Sequence, residues 1–136
     1  MIYVDANFWI YWFDQRLPEH KYVLEPMRSA INKGILLNVT TLMEVAHYLR
    51  HLPKEEFQGN LENILSLETL TLTSLDVDLT KLAFEQLAKY AKMGVGGRDS
   101  VILATMKITG TKGIASHDEV FKRIKGLEVI DPIPKT

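Results

Sequence analysis

The run Met1-Ile2-Tyr3-Val4-Asp5-Ala6-Asn7 decides how the rest of the chain is read. Ile2, Tyr3 and Val4 have the composition of a strand buried on both faces, because strands of a helix-covered parallel sheet read as apolar runs rather than alternations. The run stops at a carboxylate and an amide. In open parallel sheets ligands bind in the crevice outside the carboxyl ends of the strands, which makes Asp5 and Asn7 site candidates. Both are also favoured helix N-caps, and capping of a helix that begins near Phe8 accounts for either one taken alone. Chemistry becomes the better reading only if the same arrangement recurs.

Working outward, Phe8 to Phe13 reads as a short aromatic helix closed by the turn residues that follow it. It is apolar nearly all round, more than one buried stripe needs, so part of it is expected to be covered by another chain. Glu19 to Lys33 reads as a second helix, interrupted or begun afresh at Pro26 and ended by Gly34. Ile35 to Val39 makes a second strand, and Leu42 to Leu49 a helix with Glu44 in its first turn. Pro53 opens an amphipathic helix, Thr69 to Thr73 is a third strand nearer an edge, and Asp76 or Asp78 caps a long helix ending near Met93. Gly94 to Gly97 is a flexible link. A helix from Arg98 to Gly110, a strand at Ile114 to Ser116, a short helix at Asp118 to Lys125 and a strand at Leu127 to Ile130 complete the alternation. This pattern predicts one domain over residues 1–136, an α/β fold with a central parallel β-sheet of about five strands and helices on both faces.

At 136 residues and 46% hydrophobic content, one domain can bury a core without disulfides or a structural metal. The chain has no cysteine, which removes thiolate metal sites and cysteine nucleophiles and fits a reducing compartment. His47 and His51 lie one helical turn apart but lack the Glu that follows the first His of a zincin helix, so no zinc site is expected. The formal net charge of -1 supplies no global field for nucleic acid, and any polyanion site must be local. No signal peptide or membrane-spanning stretch is visible, and a cytoplasmic protein without membrane association is expected.

The polar strand exit recurs as acids. Asp5 follows strand one, Glu44 opens the helix after strand two, Asp99 lies in the first turn of the helix before strand four, and Asp118 follows strand four. In a parallel sheet all strands exit on one side, and a helix leading directly into a strand starts on that side, so the four converge on one crevice. Each has a private explanation: Thr41-Leu42-Met43-Glu44 and Ser116-His117-Asp118-Glu119 resemble capping boxes, and Asp99 suits a helix N-terminus. Capping does not require four acids at one edge, where two carboxylates about 5 Å apart repel by roughly 3 kcal/mol at an effective dielectric near 20. Cations or protons must offset that repulsion. Carboxylates without cysteine or an organised histidine set suit Mg²⁺ or Mn²⁺, which promote attack of water on a phosphodiester without a protein nucleophile. Between Arg98 and Lys125 six basic residues face three acidic ones, an excess that could hold a polynucleotide backbone.

Asp5-Ala6-Asn7, Thr41-Leu42-Met43-Glu44-Val45, Arg98-Asp99-Ser100-Val101-Ile102-Leu103-Ala104 and Ser116-His117-Asp118-Glu119-Val120-Phe121, in this order and spacing, resemble the PIN domain family, and in particular the VapC-like toxin ribonucleases. The resemblance covers essentially the whole chain. It implies an Mg²⁺- or Mn²⁺-dependent endoribonuclease, with Asp5, Glu44, Asp99 and Asp118 as the acidic metal-binding and catalytic positions and Asn7 and Ser116 as polar helpers. It further implies an RNA substrate, a homodimer and a small antitoxin partner. Ala6 stands where a Thr is often found, and His117 occupies a variable position with no assigned role. The alternatives within the family are an RNA-processing or DNA-cleaving nuclease without an antitoxin and a non-catalytic binding module. A phosphatase using Asp5 as nucleophile lacks the acid two residues on, where Asn7 stands. A receiver-like module lacks a phosphoacceptor Asp at the end of strand three, which closes in Thr73-Ser74.

Overall fold

Strand β1 (Ile2–Val4) is central to a fully parallel five-stranded sheet, flanked by β2 (Ile35–Asn38) and β4 (Gly113–Ala115), with β3 (Leu70–Thr73) and β5 (Glu128–Ile130) at the edges. The computed structural model describes residues 1–135. The helices are α1 (Ala6–Phe13), α2 (His20–Lys33), α3 (Val39–Leu49), α4 (Lys54–Leu65), α5 (Val77–Tyr90), α6 (Gly97–Thr109) and α7 (Glu119–Lys122), with a 3₁₀ turn at Ala91–Met93. The two-residue strand period sorts the sheet's side chains: Val4, Leu37 and Ala115 face a core built with α1 to α4, whereas Tyr3, Leu36 and Ile114 face α6 and α7. The expected α/β sheet with helices on both faces is therefore the observed architecture. Helix α5 packs outside α6 through Leu79, Ala83 and Ala104.

Three local expectations are corrected by tertiary context. Pro26 neither interrupts nor starts α2; it lies inside the helix, where Val23, Met27 and Ala30 are fully buried on the sheet and offset the missing N–H. Strand β2 stops at Asn38 instead of Val39, and α3 begins at once, because the Asn38 side chain accepts from Thr40 N at 3.0 Å and caps the helix. The β-branched run Val39-Thr40-Thr41 disguises that start. The aromatic helix is also less available than expected: Phe8 and Trp9 are buried, and Tyr11, Trp12 and Phe13 pack half-buried on the same core. Large exposed apolar side chains lie elsewhere, including Met43, Val77 and Phe84.

Asp14 closes α1, its N–H donating to Ile10 O at 2.9 Å. Its buried carboxylate accepts from Arg16 Nε at 2.9 Å, Arg16 Nη2 at 3.1 Å and Tyr48 Oη at 3.0 Å. The Arg16 guanidinium, against the opposing effect of burial and with help from Tyr48, holds the Asp14 pKa down to about 2. A carboxylate lowered on folding stabilises above its unfolded pKa, and the contribution is lost as pH falls through about 4 toward 2. Because Arg16 itself is exposed, screening limits the effect to about 1 kcal/mol. Asp14→Asn should cost about that much in urea unfolding at pH 7, with the difference from wild type shrinking between pH 4 and 2; a difference independent of pH would refute the assignment.

Candidate active site

The carboxyl edge of the sheet is assembled from strand exits and one helix start. Asp5 leaves β1 with its N–H on Ala115 O at 3.0 Å, and it caps α1 by accepting from Ala6 N at 2.8 Å. Capping and site membership are thus one geometry, since the cap uses Oδ1 while Oδ2 accepts from Ser116 Oγ at 2.7 Å. Ser116 follows β4 directly, and its Oγ also accepts from Asp118 N at 3.0 Å. That hydroxyl joins the first and last acids. Asp118 is itself the N-cap of α7, accepting from Val120 N at 3.1 Å, so the expected Ser116 capping box is replaced by this bridge.

Asn38 is fully buried at the end of β2, with its Nδ2 donating to Thr73 Oγ1 at 3.0 Å and Ser74 O at 3.3 Å. Tyr3 Oη accepts from Asn38 N at 3.1 Å and lies 2.6 Å from Thr41 Oγ1. Burial pushes the Tyr3 phenol up to about 12, so it remains a neutral structural hydroxyl. These bonds fix where α3 starts and place Glu44 in its second turn, not its first, which removes the expected Thr41 capping box. Asp99 sits at the third position of α6 and accepts from Gly96 N at 3.1 Å, half of a capping box whose other half glycine cannot supply.

The four acids meet at a fifth residue. The Arg98 guanidinium places Nη1 at 3.1 Å from Asp5 Oδ1 and 3.7 Å from Asp99 Oδ1, Nε at 3.2 Å from Glu44 Oε2, and Nη2 at 3.6 Å from Asp118 Oδ2. One cation faces four carboxylates, and Asp5 among them is fully buried. Burial raises the Glu44 pKa, with Asp5 and Asp99 adding to it and Arg98 opposing. Asp99 is also raised by burial, opposed by the Gly96 N–H and Arg98. Arg98 loses something to burial, yet Asp5, Glu44 and Asp99 together hold its pKa above the ordinary arginine value. Glu44 Oε1 is buried without a hydrogen-bond partner. Among the described residues no three acidic or histidine side chains are gathered on a single point, and the guanidinium is in contact with all four acids.

Asn7 reaches the cleft only indirectly, its Oδ1 accepting from His117 N at 3.3 Å and tying the β4 exit to α1. The His117 ring is drawn aside, with Nδ1 at 2.9 Å from the buried Asp131 carboxylate. Half of the expected basic cradle lies away from the cleft. Lys112 precedes β4, Lys125 precedes β5 and Lys107 lies in the last turn of α6, all toward the opposite edge of a parallel sheet. Lys122 is bound to Glu119 at 2.9 Å and Asp131 at 2.7 Å. Arg123 Nη1 donates to Met93 O at 3.1 Å, just before the link into α6, and of that group Arg98 is the one in salt-bridge contact with the four acids. Its position in the same helical turn as Asp99, on the edge where four acids collect, was the available signal.

A helix-covered parallel sheet with an acidic crevice outside its strand ends defines the class of this protein. The PIN domain family matches residues 2–127, and the chain belongs to that family. The fold is similar to VapC20 of Mycobacterium tuberculosis, described as a sarcin-ricin loop cleaving toxin, at a TM-score of 0.78 and 18% identity over 95% of this chain and 98% of that one. It is also similar to VapBC2 of Rickettsia felis bound to a promoter DNA fragment (TM-score 0.71, 19% identity, 96% of this chain and 98% of that one). A toxin-antitoxin complex from Klebsiella pneumoniae gives a TM-score of 0.67 at 20% identity, covering 98% of each chain. Comparison with curated proteins gives no sequence match.

Proposed function

We propose that this PIN-domain protein is an Mg²⁺- or Mn²⁺-dependent endoribonuclease, acting as the toxin of a toxin-antitoxin pair. The observation that carries the reading is the convergence of Asp5, Glu44, Asp99 and Asp118 on one guanidinium at the carboxyl edge of the sheet. The residues fit a hard divalent cation: the donors are all carboxylate oxygens, they outnumber the cation present, and Glu44 Oε1 has no partner in the chain. When bound, such an ion polarises a phosphoryl oxygen and lowers the pKa of water. Asp5 and Asp99 would hold it directly, and Glu44 and Asp118 directly or through water. Ala6 N and Ser116 Oγ fix the Asp5 carboxylate, and Gly96 N fixes Asp99, so those oxygens are oriented before any ligand arrives. Asn7 acts one step further out, through the backbone of His117.

In the reaction, water attacks the phosphorus, the bond to the 3′-oxygen breaks, and that oxygen takes a proton to leave a 3′-hydroxyl and a 5′-phosphate. The RNA substrate is supported by the likeness to VapC20, and a small antitoxin partner by the likeness to the VapBC2 and Klebsiella complexes. A homodimer is part of the proposal, and exposed Val77 and Phe84, two turns apart on one face of α5, offer it apolar surface. The site of action is cytoplasmic, where RNA is met. Among the described residues no helix is long and apolar enough to cross a membrane.

Single-turnover incubation with structured RNA and Mn²⁺ tests this reading. The wild type should cut within the strand, and Asp99→Asn should lose at least about 100-fold of the rate. Equal cleavage by Asp99→Asn would reject the site, and cleavage of DNA with RNA left intact would reject the substrate.

A further inference from the structure

Arg98 occupies the centre of the acidic cleft, and a four-acid site leaves it without a task. Its contacts are those of a shared counter-ion. A structural arginine commonly forks onto one carboxylate, as Arg16 does onto Asp14 with two bonds of 2.9 and 3.1 Å. Arg98 instead touches four carboxylates through single contacts between 3.1 and 3.7 Å, and only the one to Asp5 has hydrogen-bond geometry. The carboxylates it holds are the same oxygens that suit a divalent cation. Two cations at one set of oxygens repel, so ion and guanidinium cannot both keep the place shown here. The side chain is 35% exposed, so rotation about its own torsions can carry the fork outward to solvent.

We propose that Arg98 is the exchangeable cation of the cleft: it neutralises the carboxylates until a divalent ion takes them, then turns its freed fork onto the RNA phosphate. The proposal rests on the metal-dependent ribonuclease reading above. The planar guanidinium presents paired N–H donors that match two phosphate oxygens, and a phosphodiester approaching this acidic edge needs a cation on the protein side as well as the ion. Among the described residues, Arg98 is the one cation in salt-bridge contact with the four acids.

The test separates metal from substrate. In calorimetric titration of the full chain with Mn²⁺ alone, Arg98→Gln should bind about tenfold more tightly than wild type, since no cation has to leave, with Arg98→Lys between them. With Mn²⁺ saturating, Arg98→Gln should bind a non-cleavable RNA about tenfold more weakly, and KM should rise more than kcat falls. Should Arg98→Gln fail to fold, the wild type still decides. Its Arg98 Nε–H group, followed by nitrogen-15 relaxation, should be ordered in EDTA, mobile with Mg²⁺, and ordered again when non-cleavable RNA is added. Equal or weaker Mn²⁺ affinity in Arg98→Gln, or an Arg98 that stays ordered with Mg²⁺ alone, overturns the exchange while leaving wild-type cleavage untouched. A wild type that binds no Mn²⁺ and cuts no RNA overturns the ribonuclease reading along with it.

Discussion

Asp5→Asn should leave a folded protein whose RNA cleavage falls by on the order of 1,000-fold, the loss of several kcal/mol of transition-state charge stabilisation. The substitution keeps the shape at a position with no solvent access. The amide oxygen can still accept from Ala6 N and Arg98, so the α1 cap survives, and the new NH₂ can donate to Ser116 Oγ, which then turns its own proton elsewhere. What is lost is one negative charge from a set of four that already outnumbers its counter-ion, so three bonds lose a charged acceptor while the folded state gains relief from repulsion. Circular dichroism and thermal unfolding should match wild type closely while single-turnover cleavage collapses. Cleavage retained within tenfold of wild type would remove Asp5 from the centre of the site.

Much of this was legible in the chain because the sheet is parallel. Ile2-Tyr3-Val4, Ile35-Leu36-Leu37 and Ile114-Ala115 read as strands from their apolar runs, and a parallel sheet then forces Asp5, Ser116 and the start of α6 to one edge without knowledge of any distance. The start of α3 was not legible, since a buried amide at Asn38, bonded to Thr73 and Ser74 far along the chain, outweighs the strand propensity of Val39-Thr40-Thr41. The burial of α1 was hidden for a similar reason. Only the packing of α2 and α3 on either side shows that an all-round apolar helix is used internally. Arg98 was visible as a charge but not as a centre, because a net count over Arg98 to Lys125 mixes residues from opposite edges of the sheet.

Divalent cations should stabilise the protein strongly and chelation should silence it. At about 100 times the dissociation constant, binding to the native state alone adds about 2.7 kcal/mol, which for a domain of this size raises Tm by roughly 8–10 °C. The carboxylates expected to hold the ion include Glu44 and Asp99, whose pKa values are raised by burial. A raised carboxyl keeps its proton at pH values where an ordinary one has released it, so protons compete with the ion earlier than usual. The Mn²⁺-induced rise in Tm should therefore be full near pH 8 and shrink as pH falls toward 5. EDTA should return Tm to its starting value and abolish cleavage. A rise of equal size in Asp99→Asn would place the bound ion outside this cleft.

The most direct measurement is the chemistry of the cut ends. Water attacking in line at the phosphorus leaves a 5′-phosphate and a 3′-hydroxyl, with the 2′-hydroxyl a spectator. A single-turnover digest of structured RNA with Mn²⁺, resolved by mass spectrometry, should contain only those ends, and the same digest in EDTA should contain uncut RNA. Fragments ending in 2′,3′-cyclic phosphates, formed whether or not EDTA is present, would mean that the 2′-hydroxyl is the nucleophile and would contradict a hydrolytic site built on Asp5, Glu44, Asp99 and Asp118.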